Sequence, residues 1–253
     1  MPARSLLEAW RAEESAPFSG WDFSRLDGRV VEDQPPWSYL DVVRNALAGA
    51  RSLLDLGTGG GEVLSQLRDA FPPRVVATEA WAPNVVVARE RLGPLGVEVV
   101  PYEAIETSAK LTFDDRSFDV VISRHEAYEA TEVARVLADR GRFVTQQVHA
   151  QSLAELRGLF GEPVPFPHVT ADGLCSELRD AGLVIDRAEE WHGMMTFRDV
   201  GAIVYFLKNV PWEAPGFSVA RDLAVLERLQ RRIERDGALG FANGSLIIVA
   251  HKP

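Results

Sequence analysis

One cysteine in 253 residues, Cys175, excludes an internal disulfide and a thiolate metal cluster, so nothing ties the fold to an oxidising compartment. It sits in a segment of helical pattern, where a lone thiol serves as a small buried hydrophobe, and no chemistry is assigned to it. The amino-terminal residues alternate apolar and charged side chains and lack the apolar run of a secretory signal. No stretch approaches the ~20 uninterrupted apolar residues that a membrane helix needs. These absences predict a cytoplasmic protein without a membrane anchor. Basic charge is short as well: 27 Lys and Arg face 37 Asp and Glu, a formal net charge of -10. Such a balance repels a phosphate backbone at long range and makes nucleic acid the weaker guess for a partner, a small molecule the stronger one. Arg228, Arg231, Arg232 and Arg235 lie at helical spacing, which reads as a solvated helix face. The five histidines show no repeated ligand spacing, so no metal is predicted.

What is present is a rhythm. After a leading cap over residues 1–50, with amphipathic stretches at 6–14 and 39–48, short apolar runs at 52–56, 74–78, 97–100, 118–123 and 141–148 alternate with helical spacing at 62–70, 83–92 and 126–138. That alternation is the signature of repeated βα units in a doubly wound α/β fold with a mostly parallel sheet. The last third departs from it: a helix near 170–181, a strand at 183–190, an insertion over 191–240 and a final strand at 245–250. A single domain is expected, its cofactor-binding core over 51–150, with the carboxy-terminal half of the sheet and a lid in 151–253.

The first strand ends in Asp55-Leu-Gly57-Thr-Gly59-Gly-Gly61-Glu62 and runs into a helical pattern, which places the glycines in the first βα turn, where such sheets bind ligands. A dinucleotide fingerprint requires glycine at position 62, where Glu62 stands, and no G-K-[ST] makes a phosphate loop. A cofactor without phosphates is favoured. Glu79 ends the second strand, where a carboxylate accepts hydrogen bonds from both hydroxyls of a ribose, and Asp55 suits a cationic amino group.

Asp55 to Gly61 with Glu79, Glu103-Ala104 after strand three, the run 113–123 around strand four and Glu132 to Leu137 before strand five together resemble the class I S-adenosylmethionine (SAM)-dependent methyltransferases, in particular the small-molecule, quinone-pathway-like type 11 subgroup. The resemblance covers residues 50–150. It implies a Rossmann-like fold with seven strands, the last antiparallel, and SAM as cofactor with S-adenosylhomocysteine as product. It further implies that Asp55, Gly57, Thr58, Gly59 and Gly61 line the methionyl part, Glu79 and Ala80 the ribose, and Glu103 and Ala104 the adenine. Ser123 and Arg124 would border the cofactor where it opens toward substrate.

Methyl transfer from a sulfonium is an in-line displacement, so alignment in a dry pocket supplies most of the catalysis and a base is optional. His125 is the candidate base, and Trp37, Tyr128 and His192 join it as candidate substrate contacts; Trp21, Tyr39 and Trp212 lie in or beside proline-rich loops near the same opening. The leading reading is methylation of a small molecule. RNA or protein methylation, a non-catalytic binder of SAM or its product, and a nicotinamide dehydrogenase are the rivals.

Overall fold

A computed structural model describes residues 4–102 and 110–253. Among these residues eight strands form one sheet: β1 (Val30–Glu32), β2 (Ser52–Leu56), β3 (Arg74–Glu79), β4 (Glu98–Pro101), β5 (Phe118–Arg124), β6 (Leu137–Val148), β7 (Val184–Phe197) and β8 (Leu239–His251). Their order is β1-β7-β8-β6-β5-β2-β3-β4. Strands β2 to β6 pair in parallel, while β8 runs antiparallel between β6 and β7. The seven strands implied by the resemblance are joined by β1, a three-residue edge strand antiparallel to β7.

Central strands read as near-continuous apolar runs because both faces are covered. Leu54, Val121 and Phe143 pack beneath α4 (Ala130–Val136) and α6 (Ala171–Asp180). Leu53, Val120, Ile122 and Val144 pack on the other face, under α2 (Tyr39–Ala46) and α3 (Ala82–Leu92). The segment expected to be helical at 62–70 is a 3-10 stretch, Leu64–Ala70. Leu137, expected within a helix running to 138, instead opens β6, because it pairs with Phe118 of β5 ahead of an irregularity after which the ladder resumes at Arg142.

Strands β7 and β8 outrun β6. Past the last β6 pair, Val148 with Ser245, the hairpin continues through His192 to Phe197 against Leu239 to Gly244 and stands above the sheet edge as a wall. The expected 191–240 insertion is therefore partly strand, and the connection itself spans 198–238. It holds α7 (Val200–Asn209) and α8 (Leu223–Asp236). All residues from Val200 to Leu207 are buried, as befits a helix apolar on every side. Trp10 of α1 (Arg4–Glu14) joins α7, Phe197 and Phe241 in one cluster, so the leading helix and the insertion share a core. No helix among the described residues is long and apolar enough to cross a membrane.

The chain steps from β2 outward to β3 and β4, then returns to the far side of β2 as β5. Strand order thus reverses between β2 and β5, and ligands bind outside the carboxyl ends of strands at such a point.

Candidate cofactor and acceptor cavity

The tips of β2, β3 and β5 meet at that reversal. Glu79 closes β3 and is buried, with both carboxylate oxygens engaged by backbone: Gly59 N–H donates to Oε2 at 2.7 Å and Trp81 N–H to Oε1 at 2.8 Å. Gly57 N–H donates to Thr78 Oγ1 at 3.3 Å, and Thr58 N–H to the Thr78 carbonyl at 2.9 Å. The end of β3 therefore shapes the glycine loop. Gly57 sits at φ 67, and a Cβ there would strike the Glu126 side chain, which lies directly across the loop. Only glycine combines that dihedral with that approach.

Above the loop opens a cavity of about 600 Å³, within the usual size of small-ligand sites. Asp55, Glu62, Glu79 and Glu126 give its floor four carboxylates, of which Glu62 pairs with Arg91. Burial pushes Asp55 up to about 7, the Thr58 hydroxyl opposing and Glu79 adding to the rise. Glu126 is pushed up to about 7 by burial and then by Glu79. Burial also raises Glu79, against its backbone hydrogen bonds. An acidic floor whose members resist ionisation is what a cationic ligand relieves.

Beside Asp55 stand Arg124 and Tyr39. The Arg124 guanidinium makes only a distant approach to the Tyr39 ring, 6.0 Å to its centroid, and no ion pair among the described residues. The Tyr39 hydroxyl is buried without a hydrogen-bond partner, as is Asn84 Oδ1 in the first turn of α3. Both residues line the cavity, and buried polar atoms left unpaired by protein are those a ligand can satisfy.

His125 follows β5 at φ 59, a left-handed backbone that its N–H secures by donating to the Gln146 carbonyl at 2.9 Å. Its ring surface is exposed, but to the cavity. Surrounding protein, with Arg124 beside it, pushes the imidazole down to about 3. The ring is therefore neutral at physiological pH.

The cavity thus gathers Asp55, Gly57, Thr58, Gly59, Glu79, Ala80, Arg124 and His125. Gly61 stays in the loop at φ 81, where its absent side chain makes room for Leu92. Ser123 is buried and its hydroxyl donates to the Glu126 carbonyl at 3.0 Å, holding the turn. Trp37 stands behind His125, its Nε1–H donating to Gln146 Oε1 at 2.9 Å. Tyr128 lines a smaller recess on the far side of Glu126 and packs edge-on against Phe143. Glu103 and Ala104 lie outside the described residues. Sequence reasoning did not single out Asn84, Lys208 or Asn209 as cavity residues. Asn84 carries a signal, standing one residue past a helix-opening proline just after Glu79; Lys208 and Asn209 carry none, since only the swing of α7 over the sheet brings them there.

His192 lies elsewhere. Pairing of β7 with β8 sets it beside His149 and Glu190, with ligand atoms within 4.8 Å of one another. Gln151 N–H donates to His149 Nδ1 at 3.1 Å, which leaves the proton on Nε2, facing Glu190 Oε1 at 3.5 Å. A ligating imidazole donates its outer nitrogen instead, so the trio has the hydrogen-bonding pattern of a His–Glu pair.

Residues 54–146 match the profile of the methyltransferase domain family. That span runs from β2 to β6 and holds the glycine loop, Glu79 and the β5 turn, so residues 54–146 form a methyltransferase domain. Its solved likenesses include a Bacillus halodurans protein assigned as a methyltransferase, 20% identical with a TM-score of 0.60, over 85% of this chain and 98% of that one. A geranyl diphosphate methyltransferase in complex with its diphosphate and sinefungin is 14% identical, TM-score 0.53, over 85% and 77%. The [4+2]-cyclase SpnF is 18% identical, TM-score 0.52, over 98% and 92%. These likenesses establish a shared fold. No curated protein matches the chain.

Proposed function

We propose that the protein transfers a methyl group from SAM to a small-molecule acceptor enclosed beneath α7 and the amino-terminal segment. The observation that carries this reading is the charge layout around the glycine loop: Asp55 and Arg124 stand side by side on a cavity that Glu79 also lines. A zwitterionic methionyl end fits the first pair, its ammonium on Asp55 and its carboxylate on Arg124 and the Tyr39 hydroxyl. Each Glu79 oxygen keeps a lone pair beyond its backbone bond, enough for the two ribose hydroxyls. The carboxylate floor further favours a sulfonium. When bound, SAM supplies an electrophilic methyl carbon.

The chain's own part is placement. Gly57 and Gly59 permit close approach, and His125 lines the cavity with its Nε2 turned to the Gln146 side-chain amide at 3.5 Å. A cavity of about 600 Å³ and a net charge of -10 support a small acceptor over a nucleic acid.

The test is thermal unfolding with SAM, S-adenosylhomocysteine and NAD in turn. Either sulfur nucleoside at a hundred times its dissociation constant stabilises by ~2.7 kcal/mol. A shift with NAD and none with the other two overturns the assignment.

A further inference from the structure

The roof of the cavity differs in chemistry from its floor. Trp21, from the amino-terminal segment, and Trp212, from the loop after α7, stack with centroids 5.8 Å apart and planes 7° from parallel. Both line the cavity and both remain about 40% exposed (39% and 43%). Two indoles left open side by side, with Phe18 edge-on to Trp21 at 5.9 Å, form an apolar wall without a covering group. Already stacked on each other, they offer a flat ligand the outer face of the pair.

At the end of the same wall stands Lys208. It is the first exposed residue of α7 after eight buried ones, one of three lysines in the sequence, and it faces the cavity. Among the described residues its ammonium has no hydrogen bond and no ion pair. A lysine at a helix carboxyl end ordinarily answers the helix dipole and bulk water. Here the helix end opens onto the cavity, and Glu62, a carboxylate lining it, is already bound to Arg91.

We infer that the acceptor is a flat, unsaturated small molecule bearing an anionic group, a carboxylate or phenolate, its body against Trp21 and Trp212 and its charge on Lys208. This deepens the methyltransferase reading and rests on it, because the floor must be taken by the cofactor for the roof to select the acceptor. The two halves of the cavity then sort ligands by charge: cation below, anion above.

Calorimetric titration tests it, with 1-naphthoate and its neutral counterpart 1-naphthalenemethanol added to the protein both with and without saturating S-adenosylhomocysteine. Naphthoate binds about tenfold more tightly than the alcohol. Lys208→Met brings the two within about twofold while leaving the S-adenosylhomocysteine thermal shift unchanged, and Trp212→Ala weakens both. Equal binding of the two probes, binding of neither, or a preference that survives Lys208→Met overturns the inference. Loss of the S-adenosylhomocysteine shift in the unaltered protein instead overturns the cofactor reading, and the two failures are read separately.

Discussion

Arg157, buried in α5 (Ala154–Leu159), donates through Nη1 to the buried Glu213 carboxylate at 2.5 Å, directly after Trp212. Its Nη2 donates to the Ala150 carbonyl at 2.9 Å, so one guanidinium ties the segment after β6 to the loop that roofs the cavity.

Removing one member leaves the other charge buried and unpaired. Arg157→Met is expected to destabilise by ~3–5 kcal/mol in urea unfolding, since burial already pushes Glu213 up and only Arg157 opposes it. Amide exchange across 210–217 rises with it. A double replacement by Met at 157 and Leu at 213 recovers most of the stability, which distinguishes an unpaired charge from lost packing.

Gly57→Ala meets two obstacles, a φ of 67 and the Glu126 side chain. The first costs ~1–2 kcal/mol on its own. The second involves the Glu126 Cβ as well as the atoms beyond it and disappears only with the whole side chain, so Gly57→Ala is expected to cost less stability in a Glu126→Gly background than in the unaltered protein. Additive costs in the double-mutant cycle would contradict the contact.

Asp55 is an acid whose folded pKa of about 7 lies above its ordinary 3.8, so its ionisation opposes folding. The penalty is absent below pH ~4, grows between, and is complete above pH ~7. Asp55→Asn therefore raises the melting temperature of the ligand-free protein at pH 8, on the order of 1–4 kcal/mol of stability, and not at pH 4. The same variant loses cofactor affinity. In the unaltered protein affinity for S-adenosylhomocysteine falls as pH drops below 7, because the ammonium needs the ionised carboxylate; the variant flattens that slope.

Glu79→Gln keeps the shape and loses the charge. Gln Oε1 accepts one backbone N–H, while its amide nitrogen faces the other, so either Gly59 or Trp81 is released. The thermal shift with S-adenosylhomocysteine is expected to fall by at least about half in free energy, while Glu8→Gln on the exposed face of α1 changes nothing.

Much of this layout is legible in the sequence for a physical reason: buried parallel strands must be apolar throughout, and the loop between β2 and its helix must be glycine-rich to approach a ligand. The ordered runs from 52 to 148 and the position of Glu79 follow from those two demands. Three features escape. Val30 to Glu32 is too short for a period of two to show. The upper hairpin, His192 to Phe197 against Leu239 to Gly244, is flanked by helices and loops, so its alternation is irregular. Trp21, Tyr39 and Trp212 are legible from their loops as neighbours of one opening, but the arrival of Lys208 and Asn209 at the same hollow depends on how α7 packs over the sheet edge, a contact of long sequence separation that no local pattern encodes.

The place of β8 bears on how the molecule is made. It is the final strand in sequence, yet it lies inside the sheet, bridging β6 to β7 and, through β7, to β1. During synthesis on the ribosome the edge that holds Asp55 and Glu79 has all its strands well before β8 emerges, whereas the wall bearing the roof has no ladder to join until then. A nascent chain is thus expected to bind a sulfur nucleoside before it can shelter anything beside it.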